Sequence, residues 1–432
     1  MSKAQVMALR LHGGGDEYAL TGEGSVGDDD DCPPKRRQVV DAATHQHQQQ
    51  EHQEGDGGDD DDKLLARDLA ALSVSEREEA MLNLHGIYES DQQVQETPEL
   101  LQTSLAQLDN CLEKFMMSDN NNNNSNLTAA DIDTSAYRKA LIQNPEYVKD
   151  PGLRTCILRT EKFQVEEAAK RLFRFFNAKE LIFGETLLTK NICLQDLSED
   201  DRLTLQSGFL QFLPLRDSSG RAVLLGIPSL RGSWPLQSRV KIGLYMILSL
   251  MNDIETQRRG FVHIQMNIGK NGGTSSHEAT TVMQKFSLLS GSLPIRADAY
   301  HVCFDEAAKK AYSTICTTKY WSRMRVRARL HMGNLEKLKL ELMSFGICCN
   351  PEIFPILTEN DVDLSHHRHW LQGQCQKDGY DIAEFFKQIE SETVSMDSEN
   401  TEGINTTDTQ MDDSSEEMIE RKKYINCCCA YL

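Results

Sequence analysis

Between Gly260 and Gly269 apolar and polar positions alternate strictly: Val262, Ile264, Met266 and Ile268 fall on one face, Phe261, His263, Gln265 and Asn267 on the other. A two-residue period predicts a β-strand. A buried-helix pattern over 240–254 precedes it, and a glycine-rich loop and a helix over about 276–289 follow. Further on, the pattern predicts a strand over 295–304, a helix over 306–321, an arginine-rich strand over 323–331 and a helix over 334–345 ending at Gly346. Upstream, Phe212 to Asp217, the turn Ser218-Ser219-Gly220 and Arg221 to Ile227 predict a hairpin or a turn into a strand. Strands alternating with helices imply an α/β fold, a mainly parallel sheet flanked by helices. Interior strands of such sheets are usually apolar on both faces. The semi-polar face of 261–267 is therefore the anomaly, and it faces solvent, neighbouring polar groups or a cavity.

The N-terminal half reads as helical. Residues 163–176 are strongly periodic and aromatic-rich, within a helical module spanning 129–184. A further helical segment covers 63–117 as one or two helices. In it Ser75 and Glu78 are spaced as a capping box, and Thr97-Pro98 places proline at a first helical position. An asparagine-rich linker over 118–128 separates the two, and a short helix is expected over 376–390.

Charge relocates rather than redefines this picture. The formal charge of −20 sits on two flanks: 1–62 is low complexity and acidic, and 391–420 carries ten acidic residues and no basic one. Both are expected to be disordered, because they hold too little apolar surface to offset the entropy of ordering. The part between is nearly balanced, so no basic domain points to nucleic acid. Twelve cysteines with no secretory h-region, and no run of eighteen apolar residues, lead to the expectation of a cytoplasmic protein without a membrane span.

Over roughly 150–370 the order of motifs resembles a CRAL-TRIO lipid-binding domain of the phosphatidylinositol-transfer-protein type, in divergent form. The run Leu153 to Phe163, followed by Val165-Glu166-Glu167-Ala168, is similar to the end of the family's helical module. Asp217-Ser218-Ser219-Gly220-Arg221-Ala222-Val223 resembles its D-x-x-G-R-P-V turn, with alanine for proline. Glu255 to Gly269, Leu293 to Asp305 and Arg327 to Leu335 resemble its later segments, although the family's Asn and Pro are missing from the second. The resemblance implies a domain over 185–375 whose cavity holds one lipophilic molecule, with no catalytic residue, under a mobile helix that would be Asp305 to Trp321.

Candidate chemistry is then weighed residue by residue. In a lipid pocket Phe261 contacts an apolar chain while His263, Gln265 and Asn267 orient a polar group; otherwise neighbouring elements satisfy these side chains. Arg323, Arg325, Arg327 and Arg329 share one face of the expected strand, which suits an anionic headgroup or membrane surface. The same arginines equally suit a charge-protected edge strand or pairing with acidic residues. The loop Gly269 to Ser276 lacks a Walker A glycine and reads as a connector or a backbone anion nest. Cys348, Cys349, His366, His367, His369 and Cys375, and the tract holding His45, His47 and His52, have no regular zinc spacing, so no metal and no cofactor is expected. No G-x-S-x-G elbow is present. At the end, Cys429-Ala430-Tyr431-Leu432 has C-a-a-X form, with Cys427 and Cys428 beside it as acylation candidates and the basic Arg421-Lys422-Lys423 before it. In this reading 391–420 is a tether and 421–432 a lipidation tail at the cytoplasmic face of a membrane. The sequence therefore predicts a non-enzymatic carrier of a lipophilic molecule or phospholipid. The alternatives are a membrane-tethered scaffold with a filled cavity, or an enzyme holding a phosphorylated substrate.

Overall fold

A computed structural model describes residues 58–87, 94–120, 133–230, 235–268, 289, 291–305, 325–358 and 361–387. All belong to one compact unit, Asp56–Leu432. Residues 1–57 of the flank 1–62 expected to be disordered, the loop Gly269 to Ser276, the gate residues 306–321, Arg323, and the tether and tail over 391–432 lie outside them, whereas 58–62, placed in that flank, are helical.

Three helices open the described chain: α1 (Gly58–Ala70), α2 (Val74–Leu84) and α3 (Pro98–Asn120). The capping box starting α2 is Ser73 with Glu76, two residues earlier than the Ser75–Glu78 pair expected from spacing. Either pair has the right composition; Ser73 is the one with extended backbone ahead of the helix. At α3 the expected start holds, with Thr97 Oγ1 accepting from Leu100 N at 3.1 Å. There follow α4 (Ser135–Gln143), α5 (Pro145–Val148), α6 (Pro151–Thr160) and α7 (Val165–Phe183). The periodic run in α7 buries Ala168, Ala169, Leu172, Phe173, Phe175 and Phe176. These pack with Leu108, Leu112, Tyr137 and Ile157 in a helical core. Tyr137 meets Phe173 and Phe176 edge-on at 5.0 and 5.5 Å, the favoured quadrupole geometry.

After α8 (Glu199–Gln206) the sheet begins, with β1 (Leu210–Phe212), β2 (Ala222–Gly226), β3 (Phe261–Asn267), β4 (Ala297–Phe304) and β5 (Ala328–Met332) paired in that order. β1 and β2 form the expected antiparallel hairpin; β2–β3, β3–β4 and β4–β5 are parallel. Helix α9 (Leu236–Ser249) and the short α10 (Ile254–Arg259) connect β2 to β3. Helix α11 (Leu335–Ser344), the small β6 (Ile356–Thr358) and β7 (Asp361–Val362) pair, and α12 (Ser365–Asp378) complete the fold. Where a helix was expected over 376–390, α12 starts eleven residues earlier and 382–387 forms a separate helical turn.

The alternation that announced β3 now has two cores to serve. Val262, Ile264, Met266 and Ile268 pack with Leu335, Leu338 and Leu342 of α11 and with Phe345 and Phe354. Phe261, on the other face, packs with Leu244 and Ile247 of α9 and with Leu205 and Leu371. Gly260 starts the strand at φ +72°, and a Cβ there would lie 2.5 Å from both Arg296 O and Asp298 Oδ2. Gly260→Ala is therefore expected to destabilise by about 2 kcal/mol, read as a lower urea midpoint with an unchanged slope. An unchanged midpoint would show that the strand entry relaxes freely.

The arginine-rich stretch corrects one expectation. The strand spans only Ala328–Met332, so of the three described arginines Arg325 and Arg327 precede it and Arg329 alone lies on it. Alternation over four or five residues does not distinguish a strand from a turn leading into one.

Candidate functional site

Phe261 and His263 line a cavity of about 30 Å³ between the helix-facing side of the sheet and α9. The remaining wall is Leu210, Leu224, Gly243, Leu244, Ile247, Leu289, Leu293 and Tyr300. Apart from His263 and Tyr300 it is wholly apolar. The parallel register sets His263 opposite Leu224 on β2 and Tyr300 on β4. The two rings meet edge-on, 6.0 Å between centroids. Gly226, also on β2, leaves the room His263 needs, since a Cβ there would stand 3.2 Å from His263 Nε2.

Burial pushes the His263 imidazole down to about 4, so it is neutral at pH 7. It therefore offers one donor and one acceptor nitrogen rather than a charge. Burial also raises the Tyr300 phenol above its ordinary range. Both groups enter any chemistry here as neutral hydrogen-bonding groups set in an apolar wall.

The other half of the semi-polar face lies off the cavity wall. Gln265 Nε2 donates to Asn267 Oδ1 at 2.9 Å, and Asn267 Nδ2 donates to the Cys303 carbonyl at 3.2 Å. Asn267 is 2% exposed. The sequence placed all four side chains on one face; it did not show that two of them satisfy each other. It also missed the apolar half of the wall, whose signal was the buried-helix pattern over 240–254.

Two of the arginines after β4, Arg325 and Arg327, face acidic residues of the first two helices. Arg325 is buried and ion-pairs with Asp68 of α1. The Arg327 charge acts on Glu76 and Glu79 of α2 and favours their ionised forms. Arg329 is exposed on β5, an edge strand. Their placement matches pairing with acidic residues for Arg325 and an edge charge for Arg329.

His367 of α12 donates from Nε2 to the Leu205 carbonyl at 2.8 Å and stacks on Trp370. Cys349 and Cys375 are buried thiols that desolvation pushes up, to about 12 and about 11. Thiols so held are not ready ligands, because metals bind the thiolate. Among the described residues no group of three or more His, Cys, Asp or Glu side chains is arranged to hold a metal ion. No described helix is long and apolar enough to cross a membrane.

Comparison with known protein families finds no matching family model, and comparison with curated proteins finds no match. Among solved structures, one described as the crystal structure of Sfh5 aligns at a TM-score of 0.33 and 10% identity, over 66% of this chain and 100% of that one.

Proposed function

We propose that this chain is a non-enzymatic binder of one lipophilic ligand, held between β2–β4 and α9. The observation that carries the reading is the cavity itself: an apolar wall with two neutral polar groups, His263 and Tyr300, set side by side in it. Ligand sites combine those ingredients, apolar surface for affinity and a few placed polar groups for orientation. At about 30 Å³ the space holds no acyl chain; drug-sized ligands occupy roughly 300 Å³ or more. Uptake therefore requires the wall to part, and the reading gives that role to Asp305 to Trp321, the segment that corresponds to the mobile helix of the resemblance. In the bound state Phe261 meets the apolar body of the ligand and His263 its polar end.

A second reading, an interaction scaffold with a filled cavity, is favoured by that small volume and by the Gln265–Asn267 pairing. Native mass spectrometry of the full chain after incubation with phospholipid vesicles separates the two. The carrier reading expects a bound-lipid mass in the wild type and its loss in Leu244→Trp, a substitution that fills the cavity at about 1–3 kcal/mol of overpacking. A wild type that emerges ligand-free and takes up no lipid gives the answer to the scaffold.

A further inference from the structure

On another part of the molecule six cationic side chains converge on a cleft of about 70 Å³: Arg159, Lys162, Arg221, Arg258, Arg259 and Arg296. The cleft shares no wall residue with the apolar cavity. Four of the cations pair with carboxylates other than Glu96. Lys162 pairs with Glu79 at 2.7 Å, Arg221 with Asp217 at 2.7 Å, Arg259 with Glu255 at 2.9 Å, and Arg296 with Asp298 at 2.5 Å. The remaining two, Arg159 and Arg258, meet on the Glu96 carboxylate; Arg258 Nη1 also lies 3.7 Å from Glu255 Oε1, and Arg159 Nη1 donates to Gln257 Oε1. Arg159 grips the Glu96 carboxylate in fork geometry, Nη2 to Oε1 at 2.5 Å and Nε to Oε2 at 3.0 Å, and Arg258 Nη2 donates to Oε2 at 3.2 Å.

Glu96 lies just ahead of α3, on residues 94–96 that belong to no helix or strand. Among the described residues no main-chain hydrogen bond holds 94–96; the first is Leu101 N to Thr97 O, inside α3. The Glu96 carboxylate ties this stretch to the cleft through Arg159 and Arg258. It occupies the cleft much as a bound oxyanion would, since the planar guanidinium fork suits carboxylate and phosphate alike. The charge balance points the same way. With Glu96 seated, six cations face five carboxylates. With Glu96 withdrawn the surplus is two positive charges, which is the charge of a phosphate dianion. Without Glu96 the partly buried Arg159 keeps only the neutral Gln257, and Arg258 only a carboxylate 3.7 Å away that it shares with Arg259, so withdrawal is unfavourable unless another anion enters.

We infer that this cleft is an oxyanion site for a phosphate group and that Glu96 is its resident competitor. The incoming dianion takes the Arg159 fork and the Arg258 donor as the 94–96 stretch lifts away, so binding and release of that stretch are one event. The hydrogen bond from Arg159 holds the Glu96 carboxyl below its ordinary range, so the competitor stays charged near neutral pH.

The test uses the full chain with two probes: inorganic phosphate followed by titration calorimetry, and phosphatidylcholine vesicles with or without phosphatidic acid followed by co-sedimentation. Glu96→Gln removes the competing charge and is expected to tighten phosphate binding about tenfold or more. Adding Arg258→Gln to it is expected to erase the gain. A gain for inorganic phosphate marks a soluble oxyanion as the source; a gain only for phosphatidic acid vesicles marks a lipid headgroup. If Glu96→Gln and the wild type bind both probes equally, or if the gain survives Arg258→Gln, the inference is wrong. Should Glu96→Gln fail to fold, the wild type and Arg258→Gln decide: a thermal stabilisation by millimolar phosphate over chloride at equal ionic strength that Arg258→Gln loses supports the site, and equal stabilisation of the two, which is the general effect of an excluded anion, overturns it. Neither result bears on lipid uptake into the apolar cavity, which native mass spectrometry reads separately.

Discussion

Asp217→Ala is expected to lower the unfolding free energy by about 3–5 kcal/mol, the range found when one partner of a buried ion pair is removed. Asp217 and Arg221 are 5% and 3% exposed. Asp217 Oδ1 accepts from Ser219 N at 3.1 Å and Arg221 N at 2.7 Å, and Oδ2 accepts from Arg221 Nε at 2.8 Å. One carboxylate thus closes the turn between β1 and β2 and neutralises the guanidinium behind it. The same guanidinium reaches out of the turn, donating from Nη1 to the Asn83 carbonyl at 2.6 Å near the end of α2. Beside it Ser218 N donates to the Gly346 carbonyl at 2.9 Å, just past α11, and His85 stacks on Phe345 at 4.8 Å. Alanine at 217 therefore strands a buried charge at the junction of hairpin, α2 and α11. Urea unfolding measures the loss. The double substitution Asp217→Leu with Arg221→Met is expected to recover much of it, because the stranded charge dominates the penalty. A loss below about 1 kcal/mol in the single variant would mean that water reaches Arg221 when its partner is gone.

That turn was legible as a motif in the sequence, and so was the strand it precedes, for related reasons. Both are local: a turn closed by its own side chain, and an alternation whose period is a property of the extended chain. The sheet followed because parallel strands need helical crossovers, which the sequence displays as changes of period. What sequence spacing does not carry is the partner of a long side chain. Arg325 is paired with Asp68 and Arg159 with Glu96, across 257 and 63 positions. The cleft assembles from stretches far apart in the chain, and nothing in the spacing of Arg159, Arg221, Arg258 and Arg296 shows that they converge. Arginines at alternate positions from 323 to 329 drew attention because they are adjacent in sequence, whereas those that converge in space are dispersed. On β3 the alternation assigned Phe261, His263, Gln265 and Asn267 to one face correctly. It could not divide them into two that line a cavity and two that hydrogen-bond to each other, since that division depends on β4 and α9.

Acid is expected to destabilise the protein by about 4 kcal/mol between pH 7 and pH 5 through two of its buried histidines, His301 and His367, in addition to the share of His263, whose imidazole burial also pushes down to about 4. His301 and His367 are both 0% exposed. The hydrogen-bond network assigns their protons. His331 Nδ1 lies 2.8 Å from Glu341 Oε2 and so carries the hydrogen donated to that carboxylate. Its Nε2 is then an acceptor, and His301 Nδ1, 3.0 Å away, donates to it. His301 Nε2 is left as a buried nitrogen with no partner. At His367 the bond to the Leu205 carbonyl uses Nε2–H, and Nδ1 is likewise buried without a partner. Protonating either ring would bury a charge and create an N–H with no acceptor, which is strongly unfavourable. Burial accordingly pushes His301 down to about 3 and His367 to about 4, from an ordinary 6.5. Below 6.5 the unfolded chain takes up protons that the folded chain refuses, so stability falls as pH falls, and it continues to fall until the folded-state values near 3 and 4 are reached. At pH 5 each group has lost about 1.5 pH units of linkage, or about 2 kcal/mol. Urea unfolding at pH 7, 6 and 5 measures the slope, and His301→Phe is expected to reduce the loss over that window by about 2 kcal/mol by removing one titrating ring. A pH-independent unfolding free energy across that window would show that both imidazoles find a proton acceptor on folding, and that Nε2 of His301 and Nδ1 of His367 are not the orphaned nitrogens their surroundings make them.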